Sequence, residues 1–500
     1  MGIVPEASTT VKPTHPWLRR LHVAFVPDSI NPLLEEVASN LLHRFRLHGH
    51  VVQAKPDDHT DIVLTTARFG EPIRWREALV FWVRRRFNLT HSPTLYTLIH
   101  VTPARFQQLL GRLQTALAKE SPDPADFIFP GLAPRSPHVL IEQGKRGGAI
   151  LALERVVQAQ AMCLHILLVV GDDRPLFVYH FDLVGAHPRT DADDLEAFYD
   201  DIVLRMVTSE STYEVTEHEV VGDPVPAAVW GSLNTPAAMC AAGRQLGERD
   251  FFTAMVRIAD VVQVPAVTDA VASQYSEGCF ATWDPVLGAL VATVTGSARP
   301  VDKGDITEDD LAVIVGVRSD GMGALVRHVA GKRNDPPSSE AVELRGMDGV
   351  LPTITLGPEW TTTPTQVPVV RSKLHGHRGI AAYDPRRVEF VPLDPPYYHY
   401  LVSCATGAQA EGIKKAFGRS QTLQNPEDPR QLAFTVLPGH GVVIAEKWVP
   451  GAAPFQTMWE YMDAGYLQVD NLIPQGPMEY AAGPDGRMAL RTSDIQALSE

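Results

Sequence analysis

The order of strand-like and helix-like segments constrains the fold of this chain more than any short motif does. An apolar run at 21–26 is closed by Pro27 and is typical of a buried strand. Asn31 and Pro32 then supply an N-cap and a first-turn proline for a helix that Gly49 ends. The alternation continues with strand-like runs at 61–67 and 94–101 and a helix at 103–119. Such alternation predicts a parallel sheet with helices on both faces.

The same alternation extends to Gly331, after which short β-like runs dominate. Strands are predicted at 163–170, 176–180, 311–317, 367–371, 387–391, 432–437 and 442–448, and helices at 191–207, 237–247, 284–296, 324–329, 408–417 and 455–464. A polar, proline-bearing stretch at 332–339 suits a linker or a surface loop. We therefore expect an α/β fold with N-terminal and central parallel-sheet α/β domains at 1–145 and 146–335. A C-terminal, mainly β domain is expected at 336–500.

Charge and cysteine usage argue against several classes of function. Acidic residues outnumber basic ones by 59 to 44, and the net charge of −15 argues against a nucleic acid or an anionic membrane as partner. The four cysteines form no Cys-x-x-Cys pair, so neither a disulfide framework nor a structural zinc site is expected. The longest apolar run, 161–170, is about half a membrane span. These features favour a soluble, cytoplasmic protein.

Three residues with metal-binding side chains lie beside glycine and are the main candidates for a site. Glu277 lies in Ser-Glu-Gly, Asp305 follows a glycine, and His440 lies in Gly-His-Gly. Glycine lets backbone approach a ligand closely and lets a tight turn present a side chain. Two carboxylates and one imidazole suit Mn²⁺, or alternatively Mg²⁺, with positions left open for substrate. A surface loop for Glu277 and a turn for His440 are the simpler interpretations.

Asp305 has the strongest structural alternative of the three. It precedes Thr307, which is placed to cap a helix that opens with Glu308 and Asp310. Such a cap needs no ligand. If Asp305 serves only this turn, Asp302 is the substitute ligand.

A histidine pair offers a second candidate site. His375 and His377 are two residues apart, with Lys373 and Arg378 beside them. Alternate residues of a strand share a face, so both imidazoles could reach one ion or one sugar. A polar turn is an equally good interpretation. The Asp-Gly-Met-Gly loop at 320–323 lacks a complete phosphate-binding pattern, so a sharp strand-to-helix turn is preferred there.

Three pairs of stretches resemble the L-fucose/L-arabinose isomerase superfamily. They are 247–254 with 276–278, 287–290 with 299–306, and 438–443 with 469–471. The first pair is similar to the arabinose-type run that leads to a metal-binding glutamate, here Glu277. The second is similar to the fucose-type helix that leads to a metal-binding aspartate, here Asp305. The third is similar to the segment that holds the arabinose-type metal histidine, here His440. The second arabinose-type glutamate falls near Thr293, which cannot replace it.

The resemblance implies aldose–ketose isomerisation of a sugar or polyol through an enediol. A divalent cation, Mn²⁺ before Mg²⁺, would polarise the carbonyl and hydroxyl oxygens. Glu277 and Asp305 would be ligands that double as acid/base groups, His440 would be the third ligand, and His375 and His377 would hold substrate hydroxyls. A homo-oligomer is also implied. The alternatives are a non-catalytic sugar- or metabolite-binding protein of the same architecture, and a metal-dependent lyase or hydrolase.

Overall fold

The chain forms two compact units. The structure, a computed structural model, describes residues 19–68, 83, 85–90, 93–108, 165–180, 185–188, 194–212, 216–249, 251–252, 254–255, 275–276, 278–295, 302–394, 407–437, 440–470 and 479–491. One unit consists of Met1–Thr212 with Arg257–Ala266, and the other of Tyr213–Val256 with Val267–Glu500.

The first unit is built on a sheet that begins with parallel strands. Its strands are β1 (His22–Phe25), β2 (Val51–Gln53), β3 (Ile62–Ala67), β4 (Thr94–Val101), β5 (His165–Gly171), β6 (Pro175–His180) and β7 (Gly185–Pro188). They lie in the order β2-β1-β3-β4-β5-β6-β7. Strands β1 to β5 are parallel, whereas β6 and β7 return antiparallel. The parallel strands and the helices packed on them confirm the α/β prediction for this unit, whereas helices on both faces stay a prediction.

Two helices cover one face of this sheet, α1 (Pro32–Leu47) and α2 (Leu195–Thr212). The first begins where the sequence predicts it, because the Asn31 side chain accepts a hydrogen bond from the Leu34 N–H at 3.2 Å. Gly49, at φ +85°, follows its end. Apolar side chains of both helices and of alternate strand positions form one core; they include Leu34, Val37, Leu41, Leu64, Leu98, Leu167, Ile202 and Met206.

The second unit contains a larger sheet, further strands outside that sheet, and several helices. Its strands are β8 (Glu219–Val220), β9 (Ala254–Met255), β10 (Tyr275–Ser276), β11 (Cys279–Asp284), β12 (Ala289–Thr293), β13 (Leu311–Val317), β14 (Ala324–Arg327), β15 (Thr353–Leu356), β16 (Thr365–Pro368), β17 (Val370–Gly376), β18 (Gly379–Tyr383), β19 (Val388–Phe390), β20 (Leu432–Leu437), β21 (Gly441–Lys447), β22 (Leu467–Asp470), β23 (Tyr480–Ala482) and β24 (Met488–Leu490). Its helices are α3 (Ala227–Trp230), α4 (Thr235–Glu248), α5 (Ala341–Gly346), α6 (Gly407–Phe417), α7 (Gln421–Gln424) and α8 (Gln456–Asp463).

The larger sheet has nine strands in the order β19-β20-β21-β17-β11-β12-β13-β14-β8. Every pair from β20 to β14 is antiparallel, and the two outermost pairs are parallel. The sequence predicts a parallel sheet for the central part of the chain, and this prediction is wrong for these strands. The prediction of a β-rich C-terminal part is confirmed.

The two faces of this sheet bury different kinds of side chain. One face shares an apolar core with α4 and α8; the strand residues in that core include Phe280, Leu374, Phe434 and Ile444. Successive strand residues point to opposite faces, so Lys373 and His375 lie on the other side. There Lys373 Nζ donates to the Leu344 carbonyl oxygen of α5 at 2.7 Å. This face, called the polar face below, therefore carries buried polar and charged side chains.

Two predicted helices are strands in the structure. Of the segment predicted as a helix at 284–296, the described residues 284–295 form the turn of a tight hairpin and strand β12. Asp284 Oδ1 accepts hydrogen bonds from the Val286 and Leu287 N–H groups at 2.9 and 2.8 Å, and Gly288 turns the chain at φ +59°. Each apolar run is only a few residues long, so hydrophobicity alone does not separate a buried strand from a buried helix.

The helix predicted at 324–329 is also replaced by a strand, β14, which pairs with β13. The loop at 320–323 is thus a strand-to-strand turn. Asp320 accepts a hydrogen bond from the Met322 N–H at 2.9 Å and pairs with Arg318 at 2.6 Å. The aspartate serves the turn itself.

The two sheets do not follow the three predicted domain ranges. The seven-stranded sheet takes strands from both 1–145 and 146–335, and the nine-stranded sheet takes strands from both 146–335 and 336–500. Within the described parts of the chain, no helix combines the length and the apolarity needed to cross a bilayer.

Candidate metal centre

Four side chains from three distant segments meet on the polar face of the nine-stranded sheet. They are Glu340, His375, His377 and His440. One ligand atom from each lies within 4.8 Å of the ligand atoms of all the others. Among the described residues, this is the group of acidic, histidine and cysteine side chains that could hold one metal ion.

Strand pairing brings the histidines together. His375 lies near the end of β17, directly opposite Cys279 of β11 and Val443 of β21. His440 lies in the turn between β20 and β21, where its N–H donates to the Leu437 carbonyl oxygen at 3.0 Å. Because β21 runs beside β17, this turn delivers His440 to the end of β17, next to His377. The ring centroids of the three imidazoles are 4.7 to 5.3 Å apart.

Glycine permits the close backbone packing at this point. A Cβ atom on Gly441 would lie 2.2 Å from the Gly376 carbonyl oxygen. On the other side of β17, a Cβ atom on Gly278, which has φ +99°, would lie 2.7 Å from the His375 carbonyl oxygen. Larger residues would push both neighbouring segments away from the histidines. Gly441 therefore allows close backbone packing beside His440, whereas close approach to a ligand stays a prediction.

Glu340 reaches the cluster because the segment before it is anchored to the sheet. The Ser338 N–H donates to the Thr293 carbonyl oxygen at 3.0 Å, and the Thr295 N–H donates to the Pro336 carbonyl oxygen at 2.9 Å. The stretch 332–339, predicted as a linker or a surface loop, therefore pairs in part with the end of β12. Glu340 then stands at the N-cap of α5, and the Ser338 hydroxyl donates to its carboxylate.

Hydrogen bonds orient the imidazoles toward a common point. His375 Nδ1 lies 3.1 Å from the Val442 carbonyl oxygen. A carbonyl oxygen only accepts, so Nδ1 carries the proton and Nε2 keeps its lone pair. The Nε2 atoms of His377 and His440 face each other at 3.1 Å. Two nitrogen donors on one ion stand about 3.0–3.4 Å apart when each metal–nitrogen distance is roughly 2.1 Å. The spacing of this pair therefore fits shared coordination.

The site combines burial with a retained negative charge. His375 is 0% exposed, His440 is 4% exposed and Glu340 is 9% exposed, whereas His377 is half-buried. Burial acts to raise the pKa of Glu340, but the His375 and His377 imidazoles and the Ser338 hydroxyl outweigh it and hold this pKa at about 2. The carboxylate is therefore ionised at neutral pH, as metal ligation requires.

Cys279 lies beside the cluster but does not belong to it. Burial raises the pKa of its thiol to about 12, with a further contribution from the Glu340 charge. Only a thiolate is a good ligand or nucleophile. At neutral pH this buried thiol is a packing group on β11.

The structure assembles the predicted residues differently from the expected set. His440 lies in the cluster, together with His375 and His377, which the sequence predicts as substrate-binding residues. Asp305 is exposed and outside the cluster; its N–H donates to the Asp302 carbonyl oxygen at 2.9 Å. Glu277 lies outside the described residues, so its predicted role stays a prediction.

The alternative for the Asp305 segment is confirmed. The Thr307 N–H and hydroxyl both donate to the Asp310 carboxylate at 2.8 Å, which closes a capping box on a short 3₁₀ turn at Glu308–Asp310. Asp302, the substitute ligand, accepts a hydrogen bond from the Gly304 N–H at 2.9 Å. It is likewise outside the four-residue cluster. Both aspartates thus belong to a surface turn.

Glu340 is the member of the cluster that the sequence does not predict. It follows a Pro-Pro-Ser-Ser run and precedes the apolar residues of α5. The local pattern indicates a helix start and gives no sign of a metal. Comparison with known proteins adds no further guide, since no family model, no curated protein and no solved structure matches the chain. The chemistry of the site follows from its own geometry: three imidazoles and one carboxylate could hold a divalent metal ion.

Proposed function

We propose that this protein is a metal-dependent enzyme and that Glu340, His375, His377 and His440 hold its cation. The supporting observation is the convergence of four donors from distant segments within 4.8 Å on a buried face. Buried polar side chains of this kind are costly unless they are paired or bind a ligand. A cation bound here would be held by the Glu340 carboxylate and by imidazole lone pairs.

The donor set favours a first-row transition ion. Imidazole suits Fe²⁺ or Zn²⁺ and the carboxylate suits Mn²⁺, whereas Mg²⁺ prefers oxygen ligands and keeps several waters. Mn²⁺ stays the proposed cation, with Mg²⁺ as the weaker alternative. His377 is the most exposed of the four side chains, so substrate would reach the centre from the side of His377.

Aldose–ketose isomerisation is the reaction that we propose for this centre. When bound, the cation polarises the carbonyl and the neighbouring hydroxyl of an open-chain sugar. The proton taken from one carbon is returned to the adjacent carbon, so the reaction needs no redox partner. In this proposal Glu340 and the three histidines are ligands, and Glu277 keeps its predicted role in acid/base chemistry. A non-catalytic sugar- or metabolite-binding protein remains the alternative.

Metal analysis tests the centre itself. The purified full chain, stripped with a chelator and reloaded with Mn²⁺, Fe²⁺ or Zn²⁺, should bind one equivalent of metal. His375→Gln, His377→Gln and His440→Gln should each bind much less. The exposed His43 of α1 gives the matched control, and His43→Gln should bind as the wild type does. Equal metal content in all four variants would contradict the assignment of the three clustered histidines as metal ligands.

Product analysis tests the reaction. The Mn²⁺-loaded protein is incubated with a panel of aldoses in D₂O, and the products are followed by NMR. Isomerisation through an enediol should yield ketose, and exchange with solvent should place deuterium at the carbon that receives the proton. Stoichiometric metal binding without ketose, but with sugar binding, would favour the non-catalytic alternative. Cleaved or hydrolysed products would favour a lyase or a hydrolase.

A further inference from the structure

One buried side chain outside the four ligands contacts a ligand directly. Gln409 of α6 is 3% exposed, and its Nε2 lies 2.8 Å from Nδ1 of His440. On the far side of the same ring, Nε2 of His440 lies 3.1 Å from Nε2 of His377. Each ring nitrogen of His440 therefore faces one side chain: Gln409 at Nδ1 and His377 at Nε2.

The position of the ring proton depends on what His440 binds. A neutral imidazole carries one proton. When the Gln409 amide donates to Nδ1, that proton is on Nε2, which can donate to His377. Coordination through Nε2 needs the lone pair at Nε2, so the proton must then be on Nδ1. An Nδ1–H group cannot face an amide N–H, so the amide must offer its oxygen.

We propose that Gln409 is a positioning residue that serves both tautomers of His440 by a half-turn of its carboxamide. A rotation about the last side-chain bond exchanges Oε1 and Nε2 with almost no change of shape. On cation binding, the Nε2 proton of His440 passes to solvent, a proton from solvent joins Nδ1, and Gln409 Oε1 accepts the new hydrogen bond. The inference rests on the proposed metal centre and adds a residue that controls its affinity.

Comparison with His375 shows why an adjustable hydrogen-bond partner is specific to His440. Its Nδ1 faces the Val442 carbonyl oxygen, which can only accept, so its tautomer is fixed with Nε2 ready to bind. A backbone carbonyl cannot rotate to become a donor. The two buried histidines therefore differ: one is locked in the binding tautomer, and the other is adjustable through a side-chain amide.

Two substitutions separate the roles of the amide. Gln409→Glu offers only an acceptor, which favours Nδ1–H and supports coordination through Nε2. Gln409→Met offers neither donor nor acceptor and should weaken the affinity for Zn²⁺ or Co²⁺ by about 10–100-fold, as loss of a partner of a ligating histidine does. The control on the same helix is Glu411→Gln, whose side chain is 44% exposed, and it should bind as the wild type does.

The experiment combines chelator competition with Zn²⁺ and Co²⁺ and NMR of ¹⁵N-histidine-labelled protein after chelator treatment. We expect His440 to be the Nε2–H tautomer in the wild type and the Nδ1–H tautomer in Gln409→Glu, with metal affinity retained in that variant. Wild-type affinity in Gln409→Met, or an unchanged tautomer in Gln409→Glu, would overturn the role of Gln409 and leave the metal centre intact. Failure of the wild type to bind either ion would instead overturn the metal centre, and the role of Gln409 would fall with it. If Gln409→Met does not fold, the tautomer of Gln409→Glu decides.

Discussion

Two buried carboxylates lie on opposite faces of the nine-stranded sheet, and their pKa values are displaced in opposite directions. Glu446 of β21 is 2% exposed and faces the apolar core. It accepts hydrogen bonds from the Phe455 and Met458 N–H groups at 2.9 and 3.0 Å, at the start of α8. Burial raises its pKa to about 7, even though these two donors and the Arg371 charge oppose the rise.

Glu340, on the polar face, is nearly as buried but lies among imidazoles and a hydroxyl group. Burial acts to raise its pKa too, yet the His375 and His377 imidazoles and the Ser338 hydroxyl hold that pKa at about 2. At Glu446 the two backbone N–H groups favour the ionised form but do not outweigh the cost of burying its charge. A set of imidazoles favours the ionised form. The difference indicates that side chains on the polar face stabilise buried charges. On the apolar face, the one buried carboxyl group binds its proton more tightly than usual.

Lys373 allows a direct test of how the polar face holds charge. It is 0% exposed, and its Nζ lies 2.5 Å from Asp348, which also pairs with Arg345 at 3.2 Å. Lys373→Met leaves Asp348 buried with only the arginine, so we expect the free energy of unfolding to fall by about 3–5 kcal/mol. Urea unfolding followed by tryptophan fluorescence measures the loss.

Two further variants make this test specific. Adding Asp348→Asn to Lys373→Met removes the uncompensated charge, so much of the lost stability should return. Lys415→Met, on an exposed side chain of α6, should change the free energy of unfolding by no more than about 0.5 kcal/mol. A loss below about 1 kcal/mol for Lys373→Met would mean that the polar face does not depend on internal charge pairing.

The raised pKa of Glu446 predicts a pH dependence of stability. The folded pKa of about 7 exceeds the ordinary value of 4.5, so the folded protein binds this proton more tightly than the unfolded chain does. The resulting stabilisation is fully present below pH 4.5 and is lost as pH rises through 7. The difference between these two pKa values corresponds to about 3 kcal/mol.

Glu446→Gln removes the titrating group and should therefore remove its pH-dependent contribution to the free energy of unfolding. The difference in unfolding free energy between wild type and variant should therefore change by about 3 kcal/mol between pH 4.5 and 8, in favour of the variant at high pH. Urea titrations at several pH values provide the measurement, and Glu411→Gln is the exposed control. A difference that stays constant across this window would show that Glu446 remains ionised, like Glu340.

Local sequence signals predict the strands around the site but not its full composition. The strand at 432–437 is confirmed residue for residue as β20, and 442–448 overlaps β21. The pairing of His375 with His377 follows from their alternate spacing, and the flanking glycines draw attention to His440. These signals depend on neighbours within a few residues, which is why the sequence carries them.

The rest of the site depends on contacts between distant segments. Glu340 reaches the histidines because Ser338 pairs with Thr293, 45 residues away in the chain. Gln409 lies inside a correctly predicted helix, where nothing local separates it from a surface glutamine. The sequence predicts a helix at 284–296, where the structure has a hairpin turn and β12, because a short apolar run fits either structure. Strand order, which decides what stands beside His375, is a long-range property.

The two carboxylates finally predict different effects on metal binding. Glu340→Gln keeps the size of the side chain but removes the charged oxygen ligand, so the affinity for Zn²⁺ or Mn²⁺ should fall by about 100-fold, equivalent to about 2.7 kcal/mol. Glu446→Gln, an identical change on the opposite face, should leave the affinity unchanged. Chelator competition measures both. Equal affinities in the two variants would mean that Glu340 owes its low pKa to the imidazoles alone and is not a ligand, which would leave a three-histidine site with a carboxylate beside it.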